Sequence, residues 1–277
     1  MNQKPQNIGV VITTYNSPLW LTHVLTGYEN QQDSDFTTIV ADDGSDEQTA
    51  VVIEQFRQRG RLRLEHVWHE DQGFRKCTIL NKAIAETDCD YLIFTDGDCI
   101  PRADFIGVHR ALAEPGCFLS GGYIKLTMPV SEQITEHHIE QGVIFDADWL
   151  VSQGQPRSHK LWKLTRSPFK RRLLNALTPT RATWNGMNAS TWREDLVAVN
   201  GFNEDMQYGG LDRELGERLW NRGLRSRQIR YSAVCLHLDH ARGYAKPEIW
   251  AKNNAIRAEV KRSGVSWTPN GILKEQP

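Results

Sequence analysis

No apolar run in this chain of 277 residues approaches the ~18 that a membrane-crossing helix needs. The N-terminus also lacks the basic, then apolar, then small-residue order of a secretion signal. Charge of one sign is missing as well: 33 Lys+Arg face 34 Asp+Glu, which excludes a nucleic-acid footprint spread over the whole surface. Cysteine is sparse. Cys77, Cys89, Cys99, Cys117 and Cys235 are odd in number, have no C-x-x-C spacing and lie mostly in apolar segments, so they read as reduced core thiols. Internal repeats and low-complexity tracts are absent. These absences describe a cytoplasmic chain with one substantial core, built as one large domain or one domain with an appended subdomain.

What is present is an alternation of short β-rich runs with helical spacing. Ile8 to Thr13, Phe36 to Ala41, Leu62 to Val67 and Tyr91 to Thr95 read as strands. Pro18 to about Gln31, Thr49 to Arg57 and Lys76 to Glu86 read as helices, and a further helix is expected to open at Pro101. Such alternation predicts an α/β fold with a mainly parallel central sheet flanked by helices. Residues 131–182 are helical and basic in places, with no clear strand until about Arg181. Ser190 to Val199 reads as a helix, Leu211 to Gly223 as another, and Ser232 to Leu236 as a last strand. A basic helix from Pro247 to Arg262 closes the pattern.

Asp96-Gly97-Asp98 follows the apolar run Tyr91 to Thr95. Two carboxylates flanking a glycine where a buried strand emerges form an oxygen-rich cradle for a divalent cation, which would in turn hold a diphosphate. Ligands of parallel sheets bind beyond the carboxyl ends of the strands. The turn Asp42-Asp43-Gly44-Ser45 is placed at that same edge.

Several motifs recur in one order: Thr13-Thr14-Tyr15-Asn16, Ala41-Asp42-Asp43-Gly44-Ser45, Gly73-Phe74-Arg75 with Asn81, Asp96-Gly97-Asp98, Gly201-Phe202-Asn203-Glu204, Gly209-Gly210-Leu211-Asp212-Arg213-Glu214, and His237. In this the chain resembles the inverting family 2 glycosyltransferases of the GT-A fold. Its second half is similar to the galactosyltransferase-type region of chondroitin polymerases and β-1,4-galactosyltransferases. The resemblance departs at Leu211, where the family usually carries Glu beside the catalytic Asp; the substitution bears on acceptor choice. It implies a GT-A-type Rossmann-like sandwich with a nucleotide-sugar half (1–125) and an acceptor and catalytic half (126–246, with 131–182 as a basic helical insertion). A C-terminal helix and tail would occupy 247–277.

The resemblance implies a metal-dependent inverting transfer of a sugar from a nucleotide sugar, UDP-linked, to a glycan or lipid-linked glycan in bacterial surface polysaccharide or lipopolysaccharide synthesis. Thr14, Tyr15, Asn16, Asp42, Arg75, Asn81, Asp96, Gly97 and Asp98 would bind the donor. Asp98, with Asp96 and His237, would hold Mn²⁺ or Mg²⁺; imidazole favours Mn²⁺, and His240 is the rival to His237. Strand alternation lets both histidines ligate only if the strand has ended before 240. Asp212, in the first turn of a helix, would be the base, since an inverting transfer needs one carboxylate and a metal-held leaving group. Trp184, Gly210, Asp212 and Glu214 would meet the acceptor, Trp184 as a stacking platform. Between His159 and Leu174 basic and apolar residues interleave, as in segments that contact an anionic membrane or an acidic lipid-linked acceptor, or as in a solvated lid. A sugar nucleotidyltransferase and a non-catalytic binding module remain the competing readings, though Thr14 to Pro18 lacks the Gly-rich loop of the former.

Overall fold

A computed structural model describes residues 4–240 and 247–274 of the chain. Ten strands carry the framework: β1 (Ile8–Thr14), β2 (Phe36–Asp42), β3 (Arg63–Trp68), β4 (Tyr91–Asp96), β5 (Cys99–Pro101), β6 (Cys117–Ser120), β7 (Gly122–Lys125), β8 (Ala189–Trp192), β9 (Arg225–Gln228) and β10 (Val234–His237). Seven form one sheet in the order β3-β2-β1-β4-β8-β6-β9, and β5-β10-β7 form a smaller one. β3, β2, β1 and β4 run parallel. β8 lies antiparallel to both β4 and β6, so strands from both halves of the chain share one sheet.

β1 and β4 form where the sequence places continuous apolar runs, because both faces of the sheet are covered at its centre, whereas the edge strand β3 alternates polar and apolar residues and is partly exposed. Val10 and Ile12 of β1 enter one core with Leu21, Val24 and Phe105. Val11 enters the opposite core with Ile79, Leu80 and Ile84. Crossover helices Pro18–Glu29, Glu47–Arg59 and Lys76–Glu86 complete these layers. Asp46 caps the second of them, accepting from the Gln48 amide. β1 has β2 on one side and β4 on the other, which creates a switch point where crossovers leave in opposite directions. Register there pairs Thr14 with Asp42 and Thr13 with Asp96, so both acidic motifs open at the same edge.

After β4 the chain departs from the expected pattern in three places. Pro101 ends strand β5, and the helix begins only at Phe105; proline is tolerated because β5 is an edge strand of the small sheet. Ala189–Trp192 is strand β8, and the helix expected from Ser190 is confined to Arg193–Ala198. β6, β7 and β9, four residues each, carry no periodicity long enough to read.

The region 131–182 holds helices and 3-10 turns. Its earlier part is built into the main core through Ile139, Ile144, Leu150, Leu161 and Leu164. The helix Pro168–Leu177 buries none of its residues. Pro247–Ser263 forms the last helix; the expected boundary at 246/247 adjoins residues 241–246, which lie outside the described residues. Among the described residues no helix is long and apolar enough to cross a membrane.

Candidate functional site

The acidic edge is organised by the end of β1. The Gly97 amide donates to Thr13 O at 2.7 Å, folding the chain back over that strand as β4 finishes. A Cβ at position 97 would lie 2.8 Å from the same oxygen, so the residue between the two aspartates has to be glycine for this close approach. Asp96 is then directed inward. Its Oδ1 accepts from Thr13 Oγ1 at 2.8 Å and from Lys76 Nζ at 2.6 Å.

Asp98 faces the other way, towards the end of β10. The Leu238 amide donates to Asp98 O at 2.8 Å and pins the two segments together. Asp98 Oδ2 lies 3.7 Å from His237 Nε2 and 3.0 Å from His240 Nε2. β10 ends at His237, which frees the chain to bring His240 back to the same carboxylate; the two imidazoles stack with centroids 5.8 Å apart. Burial pushes the Asp98 carboxyl up, but the His240 hydrogen bond and the charge of His237 outweigh it and hold it below the usual range. His237 Nδ1 is buried with no hydrogen-bond partner among the described residues. Cys99 Sγ sits 3.3 Å from Asp98 Oδ1, and Asp98, Cys99 and His237 lie close enough to share an ion. Burial and the neighbouring Cys235 push the Cys99 thiol up, which makes it a poorer ligand than either imidazole. Asp98 and His237, with His240 on the same carboxylate, offer oxygen and imidazole nitrogen, a donor set that fits Mn²⁺ better than the harder Mg²⁺.

Asp212 occupies the first turn of the helix Leu211–Asn221, entered through Gly210 at φ 85°. Its Oδ1 is buried and has no hydrogen-bond partner among the described residues. Gly186 makes room for it: a Cβ there would stand 2.4 Å from that oxygen. Burial raises the Asp212 carboxyl to about 6, with Asp96 adding to the effect and Lys76 opposing it. Burial in turn disfavours the Lys76 charge, but Asp96, Asp212 and Asp98 outweigh it and hold the ammonium above its usual range. Lys76 thus sits in the common field of all three carboxylates. Sequence reasoning placed it only at a helix start, since no local spacing links it to residues so far along the chain.

The donor-side residues gather around the first two strand ends. Tyr15 is half exposed, and its hydroxyl donates to Asp71 Oδ2 at 3.0 Å. Asn16, at φ 43°, accepts the Asp46 amide at 2.8 Å and so ties the β1 loop to the β2 turn. Asp42 is buried, accepting from the Ser45 amide at 2.8 Å with His66 Nε2 at 3.0 Å. Asp43 meets His69 Nε2 at 2.8 Å and accepts from the Arg75 amide at 3.0 Å, which joins this turn to the next helix. Thr14 Oγ1 and Arg75 Nε are buried without protein partners among the described residues.

Three expected residues turn away from this edge or are committed elsewhere, as does Leu211, where the resemblance departs. Trp184, expected to offer a ring face to a sugar, is fully buried between Phe94 and Phe118. A ring of that area is worth more in the core than at the surface. Glu214, expected at the acceptor, is fully buried in an ion pair with Arg218, 2.7 Å away one turn on. Asn81, expected in the nucleotide pocket, spends its amide on Phe202 O, Phe202 N and Glu204, locking the Gly201–Glu204 loop. Leu211 points into the core with Leu215 and Leu219.

Residues 9–125 match the Glycosyl transferase family 2 profile. That stretch is a family 2 glycosyl transferase domain. The chain is 28% identical over 230 residues to validoxylamine A glucosyltransferase of Streptomyces hygroscopicus subsp. jinggangensis, covering 78% of this chain and 52% of the relative. It is 24% identical over 244 residues to chondroitin synthase of Pasteurella multocida, covering 79% of this chain and 23% of that one. The chain therefore spans about half, or less, of the length of these relatives. The fold of this chain is similar to that of the crystal structure of GalNAc-T7 with UDP, GalNAc and Mn²⁺. The TM-score to it is 0.66 at 12% identity, over 92% of this chain and 48% of that one. The central sheet and its flanking helices are thus those of GT-A enzymes.

Proposed function

We propose that the chain transfers a sugar from a nucleoside diphosphate sugar to an acceptor hydroxyl with inversion at the anomeric carbon. The donor is UDP-linked and the acceptor is a glycan or lipid-linked glycan of a bacterial surface polysaccharide. One observation carries the reading: a carboxylate oxygen without a protein partner, on Asp212, shares the acidic edge with Lys76, Asp96 and Asp98. The bacterial relatives and the UDP- and Mn²⁺-bound neighbour support the substrate class.

On this reading Asp98, His237 and His240 hold the divalent cation, with Asp96 beside them. A bound cation supplies charge neutralisation for the departing diphosphate, which removes the need for an acid on that side. Asp212 accepts the proton of the acceptor hydroxyl as that oxygen bonds to the anomeric carbon. The bond from that carbon to the diphosphate oxygen breaks, and the electron pair leaves with the nucleotide. Lys76 orients Asp96 through their 2.6 Å contact, and its charge keeps the neighbouring Asp212 from rising further. Buried Thr14 Oγ1 and Arg75 Nε are free to bond the nucleotide.

Calorimetric titration of UDP with and without Mn²⁺, on wild type and Asp98→Ala, tests the donor site. Binding that needs Mn²⁺ and is lost in the variant supports it; binding indifferent to both sinks it. Donor hydrolysis lost in Asp212→Asn, with UDP binding kept, then supports the base. Pyrophosphate exchange instead would favour a nucleotidyltransferase, and binding with no turnover a non-catalytic module.

A further inference from the structure

The helix Pro168–Leu177 is mounted the wrong way round for a water-facing helix. Its polar side faces the protein: Arg171 bonds Asp104 Oδ2 at 2.7 Å and Thr165 O at 2.8 Å. Asn175 donates to Ser232 Oγ at 2.8 Å, accepts from the Tyr231 amide at 3.0 Å and also receives Gln228. The opposite side carries Phe169, Leu173 and Leu177, spaced four residues apart on one stripe and 75%, 44% and 67% exposed. Lys170 and Arg172 flank the stripe on its two sides, both exposed. Just before this helix, Trp162 is 63% exposed and borders two cavities of about 400 and 270 Å³.

The segment that carries this face has charge of one sign, although Asp146 and Asp148 line the cavities beside Trp162. No Asp or Glu occurs between Asp148 and Glu194, although Arg157, Lys160, Lys163, Arg166, Lys170, Arg171, Arg172, Arg181 and Arg193 all do. Arg157 pairs with Asp148 and Arg171 with Asp104, while Lys160, Arg166, Lys170 and Arg172 have no ion-pair partner among the described residues. In a chain whose charges cancel overall, that is a concentrated positive field.

We propose that Trp162, Phe169, Leu173 and Leu177, with Lys160, Arg166, Lys170 and Arg172 around them, dock this protein on an anionic lipid bilayer. An apolar stripe turned outward between cations is the arrangement of helices that lie in the headgroup plane, and anionic lipids attract each nearby cation. A second copy of the chain fits less well, because pairing the stripes would bring the two basic flanks together. The face is also placed for use. Lys163 Nζ donates to Tyr123 O at 2.8 Å, and the Tyr123 ring lies 6.3 Å from that of His237. A docked bilayer would therefore sit beside the candidate metal site, which on the proposed function presents lipid-linked acceptors to it.

Sedimentation with vesicles tests this on the full chain. Phosphatidylcholine vesicles with one third phosphatidylglycerol are expected to pellet wild type, and pure phosphatidylcholine vesicles to leave it in solution. F169S/L173S and K170E/R172E are each expected to weaken partitioning by about tenfold or more, while binding UDP as wild type does. Intact UDP binding in these variants separates failure of docking from failure of the donor site. The proposal is overturned if wild type stays in solution with anionic vesicles, or if F169S/L173S pellets like wild type. It is equally overturned if sedimentation without vesicles finds a dimer lost in F169S/L173S, or if soluble dextran sulfate strips the protein from vesicles and binds F169S/L173S as well as wild type.

Discussion

Asp212 concentrates the conflict between stability and chemistry in one side chain. Its carboxyl, raised to about 6 by burial, is ionised above that pH and protonated below it. If it takes the acceptor proton, kcat/KM should rise with pH through about 6 and level off above, which a pH–rate profile checks. Asp212→Asn is expected to lower turnover by at least ~10²-fold, the range for losing a positioned base. The same change should raise thermal stability at pH 7. A group held above its ordinary value in the fold destabilises the native state wherever it must ionise, so its removal should gain at most about 2–3 kcal/mol, and less to the extent that solvent reaches Asp212. Lys76→Met reverses part of this. Without the ammonium that opposes its rise, Asp212 should titrate higher and move the acid limb of the profile towards neutrality. Asp96 would lose a 2.6 Å partner, at a cost of about 1–3 kcal/mol in urea unfolding.

Among the elements, the contact between β1 and the turn after β4 positions the acidic edge. Gly97→Ala forces a methyl to within 2.8 Å of Thr13 O, so either the turn or the strand end has to move. The expected result is a lower Tm together with UDP binding that no longer responds to Mn²⁺; a lower Tm with an unchanged Mn²⁺ response would locate the cation elsewhere. Trp184 makes the complementary case. Packed between β4 and β6 and against the helix at Gly216, it should cost about 3–5 kcal/mol as alanine, read from urea unfolding. Trp184→Phe should retain donor binding, since the ring touches the core rather than ligand.

At the scale of the whole molecule, the proposed donor and cation sites draw on groups from distant segments, so binding there should stabilise the entire fold. UDP with Mn²⁺ at about 100 times Kd adds ~2.7 kcal/mol to the native state. A thermal shift present in wild type and missing in Asp98→Ala is the expected outcome. Much of this organisation is legible along the chain. β1 and β4 are continuous apolar runs that only a sheet covered on both faces can bury, and acidic motifs directly after such strands fall at the edge where parallel sheets bind ligands. The rest is not, because it depends on partners far away in sequence. β6, β7 and β9 are too short to carry a period, and Pro101 joins a strand only because β10 lies beside it. Whether a tryptophan after a loop is platform or core, and whether Glu214 meets ligand or Arg218, are decided by what packs over them.

Local order, the identity of the parallel half and the list of acidic candidates follow from the amino acids themselves, because apolar periodicity and turn chemistry act over a few residues. Tertiary structure alone decided three things: that the end of β10 turns His240 back onto Asp98, that Lys76 joins Asp96 to the field of Asp212, and that the helix Pro168–Leu177 presents its apolar stripe outward. Each depends on a contact or an exposure that exists only when segments remote in the chain are brought to the same few ångströms.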